Sequence, residues 1–324
     1  MEANNRSVVK AFIILGFSSM PHLQALFFIL ILATYVLTVT ANLVIISVVK
    51  ANQHLHRPTA PKICSSLTFL EILCTTSTAP KMLESLSEVR STISVAGCIT
   101  QLYLFFALGS IQCFLLVIMA YDRYLAICHP LRYPAIMTMW ICTRLIRVVL
   151  LGGFLAPLLP IIFISRLSFC GPEEIQHYFC DAGPLLRRSC GDASLSSTLV
   201  SVLASSVILS TCLLTVVSYG HIIVTILRIP STTGRQKAFS TCASHLAVVV
   251  VYYGTDIFIY VRPIPRSSSE LDKVVSFFYV VITPLLNPMI YSLRNKEVKD
   301  ALKKGLTKNT VFPKSWRAFR MVCG

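Results

Sequence analysis

An acid and a base stand side by side at Asp122 and Arg123, just after the uncharged apolar run 102–120, and Tyr124 follows them. At the end of a membrane-spanning helix, such an Arg can be held by the neighbouring acid in one state. In another state it can be released to meet a partner from the cytosol. The alternative is an interfacial helix end, since exposed ion pairs stabilise a protein little. The spacing leaves both interpretations open.

Asp256 is a second candidate for chemistry. It lies in an apolar stretch, Ala238 to Val261, in which His245 is the one other residue of the Asp, Glu, Lys, Arg and His types. Ionisable residues within membrane spans are expensive and usually functional. The carboxylate either meets the positive charge or donor group of a ligand, or it is hydrated near the helix end and reaches Arg262 or Arg266.

The elements that must position these residues are apolar runs of membrane-spanning length. Of the 324 residues 55% are hydrophobic and 13% are charged, whereas a soluble domain is about 25% charged. About 20 apolar residues cross a bilayer, and they do so as a helix. The predicted fold is therefore an all-α membrane protein, a seven-transmembrane helix bundle. The seven runs lie near 26–49, 59–80, 98–121, 144–164, 196–220, 238–260 and 273–292.

The charge distribution predicts the orientation of this bundle. The net charge of +15 comes largely from stretches that lie on the cytoplasmic side when the N-terminus is outside, as the positive-inside rule requires. Basic loops over anionic lipid explain this charge without nucleic acid. The predicted organisation is an extracellular N-terminus (1–25), the seven-transmembrane bundle (26–293) and a cytoplasmic tail (294–324) that starts with a short interfacial helix.

Two further patterns agree with an outside N-terminus. Asn5 begins the triplet "NRS", a glycosylation acceptor in extracellular segments. Four cysteines fall on the predicted outer stretches, where disulfides form. Four cysteines allow three connectivities, and spacing does not choose among them. These cysteines are Cys98, Cys170, Cys180 and Cys190.

Several motifs occur in an order and spacing that resemble one receptor family. They are "MAYDRYLAIC" (119–128), "HYFCD" (177–181), "SY" (218–219), "KAFSTCASH" (237–245) and "PLLNPMIYSLRNKEVK" (284–299). From about Phe12 to Leu306 the chain resembles the olfactory receptors, a branch of the rhodopsin-like G-protein-coupled receptors. The stretch "LHRPTAPKICSSL" (55–67) and the short loop near 262–272 are similar to the class tuned to airborne odorants.

The chain departs from this family at residues 58–62, where Pro61 and Lys62 replace bulky apolar residues. A Pro in a first helical turn is tolerated, but further inside it removes a hydrogen bond and clashes with the preceding turn. The departure concerns folding and export more than fold class.

The resemblance implies a function. The chain would be an odorant receptor in the plasma membrane, specifically of olfactory cilia, rather than an enzyme. Its partners would be a small volatile odorant, the bilayer and a heterotrimeric G protein of the stimulatory olfactory type, which signals through cyclic AMP. A transporter is the alternative from another class, but it predicts inverted repeats between the two halves. A membrane enzyme is a third, but no metal-ligand cluster or paired-carboxylate motif occurs in the sequence.

The resemblance also implies roles for particular residues. Cys98 would pair with Cys180, which leaves Cys170 to pair with Cys190. Glu71, with Asn42 and Asn287, would hold either a sodium ion or water, or else a protonated carboxyl bonded to the amides. The residues of the switch and of G-protein coupling would be Asp122, Arg123, Tyr124, Tyr219, Lys237, Asn287, Pro288 and Tyr291.

The ligand site is expected in the outer half of the bundle, between helices three, five, six and seven, because cavities between helices form such sites. Each residue assigned to this site could instead belong to the packed core of the bundle. The predicted lining residues are Phe105, Phe106, Gly109, Ser110, Val202, Ser205, Ser206, Tyr253, Asp256, Ile257, Tyr260, Phe277, Val280 and Val281.

Overall fold

The structure is a computed structural model, and it describes residues 9–16, 24–51, 59–87, 91–170, 172–261 and 275–278. Four residues of the predicted seventh run, 275–278, belong to this set. Several predicted positions lie outside the described residues, namely Asn5, Val280, Val281, Asn287, Pro288, Tyr291, the predicted interfacial helix and the side chain of Lys237.

Helices dominate the described chain. They are α1 (Gln24–Ala51), α2 (Thr59–Ser87), α3 (Val95–Cys128), α4 (Tyr133–Ile136), α5 (Met139–Leu155), α6 (Leu158–Ser165), α7 (Ala182–Leu186), α8 (Ser194–Leu227) and α9 (Thr232–Asp256), followed by a π-helical turn (Ile257–Val261). Short polar residues begin several of them. The hydroxyl of Ser94, for example, accepts a hydrogen bond from the amide of Gly97 at 3.1 Å at the start of α3.

Within the described residues, five helical segments are long and apolar enough to cross a membrane. They are Gln24–Ser47, Val95–Cys128, Met139–Ser165, Ser194–Leu227 and Thr232–Val261. Large apolar side chains such as Leu151 on α5 and Leu213 on α8 point away from the bundle, at 64% and 63% exposure. This outward apolar surface suits a lipid environment and would be unfavourable in water.

The predicted fourth run is two helices rather than one. Helix α5 ends at Leu155 and α6 begins at Leu158, with Pro157 at the N-terminal boundary of α6. Pro lacks the amide hydrogen that a continuing helix would need, but its fixed backbone angle suits a helix start. The break therefore follows from the proline, and it leaves a local gap between α6 and α8.

Helix α2 carries more charge than the five apolar segments, with Lys62, Glu71, Lys81 and Glu84 along its length. At its outer end the Lys81 ammonium lies 2.6 Å from Glu84 and donates to the carbonyl of Thr92 at 2.7 Å. Because the helix begins at Thr59, Pro61 falls within the first turn. Amide hydrogens in this turn have no partner within the helix, so Pro is tolerated there.

A small sheet lies at the outer end of the bundle, and the all-α prediction did not include it. Strand β1 (Ala11–Ile14) is central. It pairs antiparallel with β2 (Ser91–Ser94) and parallel with β3 (Glu174–Ile175). Such short strands depend on partners far away in the chain, which local sequence patterns do not reveal. We call these strands, α7 and residues 176–181 the outer cap.

Disulfides fasten the outer cap to the helices. Cys98 near the start of α3 is bonded to Cys180, and Cys170 is bonded to Cys190, with Cα–Cα distances of 5.3 and 5.2 Å. Apolar side chains complete the attachment, since Phe12, Ile175 and Leu185 are fully buried together with Leu102 of α3. The mouth of the bundle is therefore covered by packed protein.

Candidate functional site

A cavity of about 50 Å³ lies between α3, α8 and α9, and we call it the Asp256 chamber. Residues four apart on a helix share a face, and Phe105, Gly109 and Cys113 reach the cavity from α3 in this way. The described residues that line it are Phe105, Phe106, Gly109, Ser110, Cys113, Ala204, Val207, Ile208, Asp256 and Tyr260.

A second cavity of about 50 Å³ adjoins the first, and we call it the Pro157 chamber. The two chambers share Phe106, Ser110, Ala204 and Val207, so these side chains form the common wall. The second chamber lies beside the break between α5 and α6. Its lining is Phe106, Ser110, Ala156, Pro157, Pro160, Val200, Leu203, Ala204 and Val207.

Asp256 is the last residue of α9 and is only 3% exposed. Its Oδ2 accepts a hydrogen bond from the Cys113 thiol at 3.8 Å. Tyr252, one turn earlier, donates to the carbonyl of Gly109 at 3.0 Å and ties α9 to α3 at this depth. The π-helical turn then carries Tyr260 to the same chamber, where its ring packs edge-on against Phe106 with centroids 5.7 Å apart.

The outer cap forms the ceiling of this site. Phe179 is 1% exposed, and its ring lies 5.2 Å from that of Phe105. Gln101 of α3 fixes the loop, because its Oε1 accepts from the amide of Cys180 at 3.0 Å while its amide nitrogen donates to the carbonyl of Ser77 at 2.9 Å. Sequence reasoning missed Gln101 and Phe179. The motif "HYFCD" was the available signal for Phe179.

Asp181 connects the cap to the chamber electrostatically. Burial raises the pKa of its carboxyl to about 6, against the lowering effects of the Ala182 amide, the Arg187 charge and a hydrogen bond from Tyr260. Burial likewise lowers the pKa of Arg187. The exposed Asp192 behaves oppositely, since hydrogen bonds from the amide and hydroxyl of Ser194 lower its pKa.

The structure corrects the helix-five side of the predicted site. Val202 is 58% exposed and Ser206 is also exposed, both turned away from the bundle. Ser205 is half-buried but lines neither chamber. The inward face of α8 instead carries Val200, Ala204, Val207 and Ile208, at helical spacing. The prediction was displaced around the helix because an almost uniformly apolar run shows little difference between its faces.

Three other predicted lining residues lie beside the chambers rather than on them. Tyr253 is buried one turn below, where its hydroxyl donates to the carbonyl of Cys113 at 3.4 Å. Ile257 packs against the core next to it. Phe277 lies against Phe27 of α1, with ring centroids 5.6 Å apart. All three belong to, or pack against, the hydrophobic core that also contains Phe105 and Ile208 of the chamber wall.

At the opposite end of the bundle, polar side chains from different helices meet in what we call the inner cluster. Asp122 is buried and accepts a hydrogen bond from Tyr133 of α4 at 2.8 Å. Tyr219 of α8 is hydrogen-bonded to Nδ1 of His245 on α9. The charge of Arg123 acts on both Tyr219 and His245. The cluster therefore joins α3, α8 and α9.

Sequence reasoning assigned no partner to His245 and did not include Tyr133. The signal for His245 was its isolation as an ionisable residue in an apolar run. Tyr124, which was predicted, is hydrogen-bonded to Nε2 of His129 at 3.0 Å, and its ring lies 5.8 Å from that of His221, tilted by 59°.

Glu71 is fully buried in the middle of α2. Its Oε1 accepts from the side-chain amide of Gln112 on α3 at 2.9 Å. The predicted partner Asn42 donates to the carbonyl of Thr38 in its own helix at 2.9 Å. Gln112 was missed, although a lone amide within the uncharged run 102–120 was a visible signal.

Comparisons with known proteins agree with this geometry. The family model described as "Olfactory receptor" matches residues 31–309. The chain is 47% identical to olfactory receptor 11L1 of Homo sapiens, over 94% of each chain. It is 46% identical to olfactory receptor 5A1 of Homo sapiens, over 96% of this chain and 98% of that one. It is also 46% identical to olfactory receptor 6B9 of Mus musculus, over 93% and 95%.

Proposed function

Because the chain belongs to the olfactory receptor family, it is an odorant-sensing G-protein-coupled receptor of the cell membrane and not an enzyme, and we propose where it binds and how it signals. A small volatile odorant binds in the Asp256 and Pro157 chambers. The inner cluster then changes its contacts and admits a G protein of the stimulatory type, which raises cyclic AMP in olfactory cilia.

The observation that carries this proposal is the mostly apolar Asp256 chamber, whose described lining includes the polar side chains of Ser110, Asp256 and Tyr260. Ligand sites combine apolar walls with a few polar groups in this way. The chamber measures about 50 Å³, whereas occupied ligand sites are typically about 300–1,000 Å³. An odorant therefore binds better to an expanded arrangement of the chamber. This difference in affinity shifts the population of receptors toward the expanded arrangement.

The inner cluster offers a route from expansion to coupling. Tyr219 and His245 connect α8 to α9, and Arg123 of α3 acts on both. A movement of α9 that enlarges the Asp256 chamber also changes the position of His245, since both residues lie on the same helix. Separation of the three inner helix ends then makes Arg123 accessible to the G protein.

A sodium ion or ordered water beside Glu71 belongs to the same proposal. Oδ1 of Asn42 is buried and has no hydrogen-bond partner among the described residues, and the Glu71–Gln112 pair crosses from α2 to α3 at a buried position. Such oxygens suit a hydrated cation or a water. The dependence of agonist potency on sodium concentration distinguishes the two.

The proposal is tested by screening chemically diverse volatiles against the full-length receptor at the cell surface. Ligand-dependent nucleotide exchange on a stimulatory Gα, together with cyclic-AMP formation, is the expected result. Ligand uptake into sealed vesicles without nucleotide exchange would indicate a transporter instead. Exchange on other Gα classes alone would contradict the proposed coupling while leaving the odorant site in place.

A further inference from the structure

We propose that the preferred ligands are small protonated amines with a compact apolar body. The ammonium group pairs with Asp256, and the body extends past Ser110 into the Pro157 chamber. This inference rests on the proposed function, because it assigns a ligand class to the same site.

The charge of the Asp256 chamber indicates which ligand group binds there. Asp256 is 3% exposed, and among the ten described residues that line its chamber it is the one with a formal charge. The Cys113 thiol donates to its Oδ2 at 3.8 Å. A carboxylate offers about four acceptor positions, so an oxygen that lines the chamber also accepts from a bound ligand. An ammonium group is the ligand group that compensates this charge most strongly.

The number of acceptor groups in the chamber matches the number of donors on an ammonium group. A primary ammonium has three N–H donors, and the chamber offers three acceptors in the Asp256 carboxylate and the hydroxyls of Ser110 and Tyr260. The rings of Phe105 and Phe106 line the same space. Aromatic faces attract cations within about 6 Å of the ring centroid. The head group is thus surrounded by acceptors and aromatic rings.

The body of the ligand has its own compartment. Ser110 belongs to both linings, so it marks the junction between them. Beyond it the Pro157 chamber is lined by Ala156, Pro157, Val200 and Leu203, which offer apolar surface. Each chamber measures about 50 Å³, so a ring or chain of a few carbons already requires expansion. Compact aliphatic amines therefore fit better than long or polycyclic ones.

Cyclohexylamine, cyclohexanol and cyclohexanone are matched probes, because they share a ring and differ in the polar group. With the full-length receptor in membranes, we expect cyclohexylamine to activate at a concentration at least tenfold below that of cyclohexanol. Asp256→Asn keeps the shape and removes the charge. It should raise the half-maximal concentration for the amine at least tenfold, which corresponds to about 1.4 kcal/mol, and leave that for the alcohol within about twofold.

A matched control removes an exposed acid on the outer face. Glu174 is exposed in β3, so Glu174→Gln tests whether the amine preference reflects general attraction to a negative surface. We expect no change in the response to any of the three probes. A loss of amine potency equal to that of Asp256→Asn would overturn the direct pairing.

Other outcomes separate this inference from the proposed function. If the wild type prefers cyclohexanone or cyclohexanol to the amine, the amine assignment fails even though odorant sensing stands, and this result needs no variant that folds. Equal shifts for the amine and the alcohol in Asp256→Asn, at equal surface level, also overturn it. If no volatile of any class activates wild-type receptor at the surface, the proposed function itself fails.

Discussion

Arg123 illustrates how much a single residue depends on distant partners. Its neighbour Asp122 is held by Tyr133 from the following helix, whereas Arg123 acts on Tyr219 and His245 from α8 and α9. The motif around Arg123 was visible in the sequence. The proximity of Arg123 to His245 was not, because helical packing brings together residues more than 100 positions apart.

Arg123→Ala should reach the cell surface and lose the odorant-evoked cyclic-AMP response, by at least tenfold in amplitude. The reason is that Arg123 contributes to the inner cluster and not to either chamber. Surface labelling and cyclic-AMP measurement on the same cells check this. Arg166→Ala is the matched control, since Arg166 is exposed beyond the end of α6, at the outer side. A full response of Arg123→Ala at equal surface level would remove the role assigned to it.

The raised pKa of the Asp181 carboxyl predicts that the stability of the receptor depends on pH. Its pKa is raised from 3.8 to about 6 in the folded receptor, so between these values the folded state holds a proton that the unfolded state releases. The contribution of Asp181 to the free energy of unfolding is therefore largest below about pH 4, and it falls as the pH rises to about 6. The free energy of unfolding lost through this group across the whole range is about 3 kcal/mol. The melting temperature of the receptor, measured from pH 4 to pH 7, should therefore fall as the pH rises.

Asp181→Asn should flatten that pH profile and raise the melting temperature at pH 7, since the amide carries no charge to bury. Asp192→Asn is the control. The pKa of Asp192 is lowered, so its own transition lies below this range and the wild-type slope between pH 4 and 6 should persist. A wild-type slope retained in Asp181→Asn would assign the pH dependence to other groups.

At the scale of elements, the sequence predicted helices well and the outer cap poorly. Helices α1, α3 and α8 lie over predicted apolar runs and extend a few residues beyond them. The strands were missed because β1 requires partners near residues 92 and 174. Helical faces were the weak point of the site prediction, since Val202 was assigned inward in a run that is apolar on all sides.

The Cys98–Cys180 bond acts as one unit that anchors the outer cap to α3. Cys98→Ser and Cys180→Ser should therefore reduce surface expression alike, and the double variant should be no worse than either single one. Residues that share one interaction give non-additive effects. Surface expression of all three variants, with Cys142→Ser as a control at a cysteine outside the disulfides, checks this. Clearly additive losses would contradict the unit.

At the scale of the whole molecule, the two ends of the bundle differ in a way that suits a receptor. The outer end is closed by the cap, with Tyr178 fully buried and Phe179 nearly so. The inner end is held by hydrogen bonds between α3 and α4 and between α8 and α9, and the Cys128 thiol of α3 meets the Thr225 hydroxyl of α8 at 3.2 Å. The chambers lie under the cap, so in the proposed binding mode the closed ceiling limits how far they expand and therefore which odorants they accept.

Phe179→Ala should shift odorant preference toward larger molecules. The Phe179 ring lies 5.2 Å from that of Phe105, and truncation leaves unfilled space above the Asp256 chamber. In a homologous series of amines or alcohols, the most potent member should gain one or two carbons. Truncating a buried Phe costs about 3–5 kcal/mol, so potency is compared at equal surface level. Phe69→Ala, which removes a ring that is 55% exposed on α2, should leave the preferred size unchanged. An unchanged size preference in Phe179→Ala would mean that the cap is not a wall of the odorant site.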